Sequence, residues 1–243
     1  IPIDVTVAEL KEANRLIEEF MLRANISVAH KVLQHFPDEA LLRRHEEPNE
    51  KRLEDFRLLT EKLGLDFDTS TAGTLQQSFQ NIPSDDLKAV LQVIATRPMK
   101  RAKYFCTGSL DITKYRHYAL NESIYTHFTS PIRRYADVII HRELYAALEG
   151  KEMSVYAKKR LQEIANDCNR KRDSARNAQD LNNLLYLGVY LNNLEIKQGP
   201  VYTHALVVSV RKRGFDIYLP EYGLEKSIGL DRLPLENAIF DKD

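Results

Sequence analysis

The strongest constraint on this 243-residue chain is residues 154–192, a stretch without proline that reads as one very long helix or a helix pair. A second helical beat runs from Val7 to Phe36, with Leu10, Ala13, Ile17, Phe20, Met21 and Ala24 on one face and Pro37 at its end. A polar loop, RRHEEPNE, follows. Residues 49–63 predict another helix, stopped by Gly64, and two shorter ones cover about 71–80 and 84–96, the last capped by Ser84 or Asp85. The chain is therefore expected to be helix-rich.

The texture changes twice. AKYFCTGSL and HYALNESIYTHF are rich in aromatic and β-branched residues and read as strands and loops crossing the interior. After Lys197, GPVYTHALVVSV, RKRG, FDIYLPEYG and LEKSIGL alternate strand and turn, the opening of a small β-barrel. A five-stranded barrel needs about 70 residues or more, so residues 198–243 predict an incomplete one. The expected class is α+β, with a helix-rich unit over 1–197 and the barrel start over 198–243. Ile1 is not a natural initiator, and the chain is expected to be processed, truncated or part of something longer.

No apolar run approaches the roughly 20 residues that span a membrane, so no membrane partner is expected. Cys106 and Cys168 stand far apart in no CxxC pattern, which fits a reducing, cytoplasmic setting and offers no zinc site. Net charge is zero but uneven: residues 1–96 carry −6, residues 97–142 carry +6, and the remainder balances. A basic segment in a neutral chain suggests a focused anion site.

That segment contains YTHFTSPIRRYAD. Ser130 followed by Pro131 predicts a helix start, since serine caps free N–H groups and proline suits the first helical position. Ile132, Ala136, Ile139, Ile140, Leu144 and Ala147 keep one apolar face, to about Leu148. Arg133 and Arg134 then fall in the first turn, where cations are disfavoured. Pairing with Asp137, four and three residues on, is the ordinary explanation. A bound phosphate is the other. The helix end, the Thr129 and Ser130 hydroxyls and two guanidinium forks all suit phosphate oxygens. Tyr125, His127, Phe128 and Tyr135 supply rings on which bases stack. Elsewhere the ordinary readings prevail. Lys158 to Asp173 alternates charge as a solvated helix face, RKRG is a hairpin turn, and Asp85–Asp86 reads as capping.

HYALNESIYTHFTSPIRRYADVIIHREL resembles the signature segment of the ribonuclease II (RNB) exoribonuclease family. EANRLIEEFMLRANISVAHKV, RPMKRAKYF and CNRKRDSARNAQDL resemble segments on either side of it, and LLRRH, NRLIEEFM and KYRHYALN resemble the exosome-independent, Dis3-like branch. The resemblance implies the C-terminal part of an RNB catalytic domain followed by an incomplete S1-type OB barrel. It implies magnesium-dependent, processive 3′→5′ hydrolysis of single-stranded RNA, and leaves uridylated tails, structured RNAs and messages open as substrates. Arg133 resembles the catalytic arginine. Tyr125, His127, Thr129, Ser130, Arg134 and Tyr135 would shape the RNA channel, with Arg176 on the later helix, while Asp137 and His141 orient them or pack.

The family's metal-binding aspartates have no counterpart here, and they and the cold-shock-type domains are expected upstream. By this reading the chain alone is inactive, and the complete protein is monomeric and binds RNA 3′ ends. The rival readings are a non-catalytic RNA-binding relative and a protein-binding helical scaffold.

Overall fold

In the computed structural model, which describes residues 2–5, 11–152 and 154–233, the first element is helix α1, Glu12–His35. Only its second half is packed, with Asn25, Val28, Ala29 and Val32 buried. The face expected to be apolar and internal, Ile17, Phe20 and Met21 with neighbouring Leu16, is exposed, because no described element reaches it. Residues 7–10 of the predicted helix, Leu10 included, lie outside the described residues.

Strand β1, Leu41–Arg44, follows where a polar loop was expected. It pairs antiparallel with β2, Lys103–Cys106, in the register Leu42 to Phe105 and Arg43 to Tyr104. The two strands meet across about sixty residues of sequence, so the four-residue run LLRR carries no local signal of its partner. Between them lie three helices, α2 at Glu50–Lys62, α3 at Ala72–Ser78 and α4 at Asp85–Thr96. Asn49 and Ser84 cap α2 and α4 by accepting from Arg52 N–H and Leu87 N–H. Gly64, at φ +71, lets the chain turn off α2. Phe56, Phe67 and Phe79 meet edge-on at 5.0–5.3 Å between Phe67 and its two neighbours and form the core of this lobe with Leu75 and Leu91.

Helix α5, Tyr135–Leu148, buries Ala136, Ile139, Ile140, Ala146 and Ala147 against α1 and β1. Burying each isoleucine contributes on the order of 1.5–3 kcal/mol. The helix starts four residues later than Ser–Pro predicts, and Ile132 is 97% exposed rather than part of the buried face. Helix α6, Lys158–Gln198, is the long helix, single and unbroken. Its first turns bury Leu161, Ile164 and Ala165, and its polar side chains complete the small sheet. Gln162 accepts from Cys106 N–H at 3.0 Å, and Asn169 bonds both Tyr104 N–H and Tyr104 carbonyl at 2.8 Å. The outer edge of β2 is thus paired to a helix instead of to a strand.

The last described elements are β3, Leu206–Arg211, β4, Gly214–Leu219, and β5, Leu224–Gly229, an antiparallel sheet in the order β3-β4-β5. RKRG supplies the two-residue turn between β3 and β4, as its composition predicts. The sheet leans on α4, where Arg97 pairs with Glu225. Residues 234–243 of the predicted barrel start lie outside the described residues. Cys106 and Cys168 are free thiols.

Candidate functional site

The segment Tyr125–Arg134 is irregular, and three anchors fix it. Tyr125 carbonyl accepts from Arg43 N–H at 2.8 Å, which adds the segment to the free edge of β1. Thr126 Oγ1 donates to Leu41 carbonyl at 2.8 Å. From α1, buried Asn25 donates through Nδ2 to Tyr125 hydroxyl at 3.0 Å and accepts through Oδ1 from Phe128 and Thr129 N–H at 2.8 and 3.2 Å. One amide side chain thereby holds three residues of the signature segment. Its signal in the sequence is a lone polar residue on the buried part of an otherwise apolar helix face.

After Ser130 the chain makes a turn instead of entering the helix. Arg133 and Arg134 N–H both donate to Ser130 carbonyl, and Arg134 is extended at φ −129, ψ 112. The cause is Asp137, which has no exposed surface. Its Oδ2 accepts from Ser130 N–H and Arg134 Nη2, and its Oδ1 from Arg134 Nε, each at 2.8 Å. A buried carboxylate draws the serine N–H and the arginine fork to itself, and the first helical turn waits until Tyr135. The two arginines therefore differ. Arg134 is committed to Asp137. Arg133 is exposed, and among the described residues no hydrogen bond or ion pair engages its side chain.

Beneath the turn lies a chain of rings. Tyr125 and His127 lie 5.6 Å apart, as do Tyr104 and His127, while His117 lies 5.1 Å from Tyr125. Tyr104 hydroxyl and His127 Nδ1 are hydrogen-bonded at 2.6 Å. Burial, reinforced by Arg43 and Arg134 nearby, pushes the His127 pKa down to about 2, and burial beside His45 takes His117 to about 4. Both rings are neutral at physiological pH. His141 donates to Phe128 carbonyl at 2.9 Å and stacks on the Phe128 ring at 4.2 Å.

The remaining sequence-predicted residues are dispersed. Thr129 sits in the turn with its hydroxyl 3.5 Å from Arg134 Nη2, and Tyr135 is exposed at the head of α5. Arg176 stands exposed on α6, where its Nε pairs with Asp180 at 3.1 Å, and no described contact joins it to the others.

Sequence reasoning missed Arg43, Tyr104, Asn25 and Arg172. Arg43 lies in β1 with its guanidinium carbon 5.0 Å from the Tyr104 ring centre. Arg172 reaches back from α6 to Ala102 carbonyl at 2.5 Å. Arg43, Arg133, Arg134 and Arg172 thus surround the rings, with Asp137 the carboxylate set among them. The excess of positive charge suits an anionic ligand, while the Tyr104, Tyr125 and His117 rings are buried and leave His127 and Tyr135 as the open aromatic surface.

Among the described residues no group of three histidine, cysteine, aspartate or glutamate side chains is placed to hold a metal ion. Asp137 is saturated by its own donors, and Glu143 is buried singly in the core. These residues do not fit a magnesium site.

Comparison with known proteins gives a consistent picture. The profile of the RNB domain matches residues 1–150, and that of the DIS3-like exonuclease 2 C terminal matches residues 199–243. The chain is 39% identical to DIS3-like exonuclease 2 of Caenorhabditis elegans over 96% of its length, and 40% identical to that of Xenopus tropicalis over 100%. It spans 28% and 29% of those relatives. Among solved structures, yeast Ssd1, described as a pseudonuclease, superposes with a TM-score of 0.86 at 36% identity, over 92% of this chain and 27% of that one. Mycoplasma genitalium RNase R in complex with ribose-methylated single-stranded RNA shares the fold, with a TM-score of 0.77 at 24% identity over 99% of this chain and 37% of that one.

Proposed function

Since this chain belongs to the RNB-domain family, we propose that it is the C-terminal part of a 3′→5′ exoribonuclease, with residues 1–197 in the catalytic domain and 198–243 opening an S1-type RNA-binding barrel. The observation that carries the reading is the split between the two arginines. Asp137 spends Arg134 on building the turn, and the same turn presents Arg133 unengaged beside a floor of neutral rings. Arg133 stabilises charge developing on a scissile phosphate, and Tyr125, His127, Thr129, Ser130 and Tyr135 line the end of the RNA path. Arg134 acts through the turn, and Arg176 is the outlying member.

When bound, magnesium supplies the activated water and the charge neutralisation of phosphodiester hydrolysis. Its ligands are carboxylates that this chain does not contribute, so the chain alone is inactive. The partner is the 3′ end of single-stranded RNA, uridylated tails included. By the same reading the complete protein is monomeric and cytoplasmic.

The test uses the whole protein, magnesium and a 5′-labelled oligo(U). Wild type yields a ladder, and Arg133→Ala lowers the cleavage rate by about 100-fold or more while RNA affinity changes a few-fold. Equal losses in rate and affinity would reduce Arg133 to a phosphate-binding residue. A ladder from the purified 243-residue chain would overturn its predicted inactivity.

The second reading is a non-catalytic RNA-binding relative, favoured by the close superposition on the yeast pseudonuclease. It predicts tight oligo(U) binding with no ladder from the whole protein.

A further inference from the structure

Arg43 is the anomaly of the site. No described hydrogen bond or ion pair engages its guanidinium, and one nitrogen, Nη1, is sealed from solvent without a partner. The other two nearby guanidiniums of the floor are accounted for. Arg134 is held by Asp137, and Arg172 donates to Ala102 carbonyl and Asp173. A partly buried cation with no counter-charge, set among other cations, is unfavourable, and proteins rarely retain one without a partner. The side chain is also held in place: β1 fixes its backbone through the Tyr125 carbonyl, and the Tyr104 ring lies under its guanidinium. The residue as a whole remains partly open.

We propose that Arg43 binds a backbone phosphate of the RNA, separate from the phosphate at Arg133. Arg43 and Arg133 both bear electrostatically on His127, so the two unengaged forks can serve phosphates of one strand, with the Tyr104 and Tyr125 rings buried in the floor. A phosphodiester supplies the counter-charge that the protein withholds. His127 stays neutral and so does not compete for that anion. The inference rests on the RNA reading of the preceding subsection.

The test is binding of fluorescent oligo(U) to the whole protein in EDTA, measured by anisotropy across a salt series, beside the thermal unfolding midpoint. Wild type should bind with a steep salt dependence. Arg43→Gln should bind about tenfold more weakly, and its slope of log affinity on log salt should be shallower by about 0.7, the value of one phosphate contact on a single strand. Its unfolding midpoint should be no lower than wild type, because an unpaired charge has been removed. Arg43→Lys should keep the wild-type slope with reduced affinity, since it retains the charge and loses the fork. An unchanged affinity and slope for Arg43→Gln would overturn the proposal. So would a fall in unfolding midpoint shared by the Gln and Lys variants, which would make Arg43 structural. If wild type itself fails to bind oligo(U), the RNA reading fails first, whereas binding by wild type and Arg43→Gln alike removes only the role of Arg43.

Discussion

Asp137 has no solvent contact, and its oxygens are taken by Arg134 and Ser130 N–H, so the shape of the signature turn depends on one carboxylate. Asp137→Asn keeps the side chain's size and removes its charge. Breaking a fully buried pair costs about 3–5 kcal/mol, and the partial exposure of Arg134 brings the expectation to about 2–3 kcal/mol. Urea unfolding measures it, and a cost below about 0.5 kcal/mol would mean that the backbone alone holds the turn. Glu143 gives a second prediction. It is fully buried, accepts only from Leu41 N–H, and has Oε1 unpartnered, and burial raises its pKa to about 8. The fold therefore holds a proton that the unfolded chain has released above the ordinary value of 4.5, and stability falls as pH rises from there towards 8, by about 1.4 kcal/mol per unit. His117 and His127 act in the opposite sense. Their folded pKa values, about 4 and about 2, lie below the ordinary 6.5, so their contribution is present above 6.5 and is lost as pH falls. With two histidines against one glutamate, stability should peak near pH 6.5. Glu143→Gln should abolish the decline above that pH and steepen the acid limb below it, as denaturant titrations from pH 5 to 8 would show. At this scale the sequence displayed Arg133, Arg134 and Asp137, of which Arg134 and Asp137 pair three residues apart. It concealed Asn25, Arg43 and Tyr104, whose partners lie up to about a hundred residues away.

Among the elements, the helices, β2 and the strands β3–β5 were legible, and β1 was not. Asn49, Gly64 and Ser84 mark helix ends through bonds and dihedrals that are local, so their chemistry can be read in place. The same logic failed at Ser130–Pro131 because Asp137, seven positions on, accepts from Ser130 N–H and from the Arg134 fork, and the Arg133 and Arg134 N–H groups turn to the Ser130 carbonyl instead of its hydroxyl. β1 and β2 are four residues each and owe their existence to one another, to the Tyr125 segment and to Gln162 and Asn169 of α6. Gly108, just beyond β2, shows how close that packing is. Its N–H donates to Asp38 carbonyl at 2.9 Å, and a Cβ added there would stand 2.5 Å from the same oxygen. Gly108→Ala must push the β2 exit away from residues 38–40, at a cost of about 1–3 kcal/mol. Because Tyr104 carries the floor of the site on this strand, the variant should also weaken RNA binding. Gly73→Ala, with only an ordinary contact to Thr71, should leave both stability and binding unchanged in the same assays.

Over the whole molecule, the charge pattern proved a better guide than the apolar pattern. The basic segment 97–142 does supply the turn and much of its floor. The apolar face of α1 does not mark core along its whole length. Leu16, Ile17, Phe20 and Met21 are exposed on it, as are Leu181, Leu184, Leu185 and Tyr186 on α6. Periodicity reports that a face needs covering and says nothing of what covers it. In relatives more than three times as long, a cover from elsewhere in the chain is the natural source, and this chain on its own has water there. Contiguous apolar stripes of this kind drive association. The purified 243-residue chain should therefore sediment above its 28.1 kDa monomer mass, increasingly so with concentration. The double variant Leu16→Glu, Phe20→Glu should return it to monomer. Its far-UV circular dichroism should not change, because the side chains replaced make no buried contact and glutamate is a good helix former. A wild-type chain that stays monomeric as concentration rises would mean that the stripe is tolerated in water, and the case for a missing cover would lose its support.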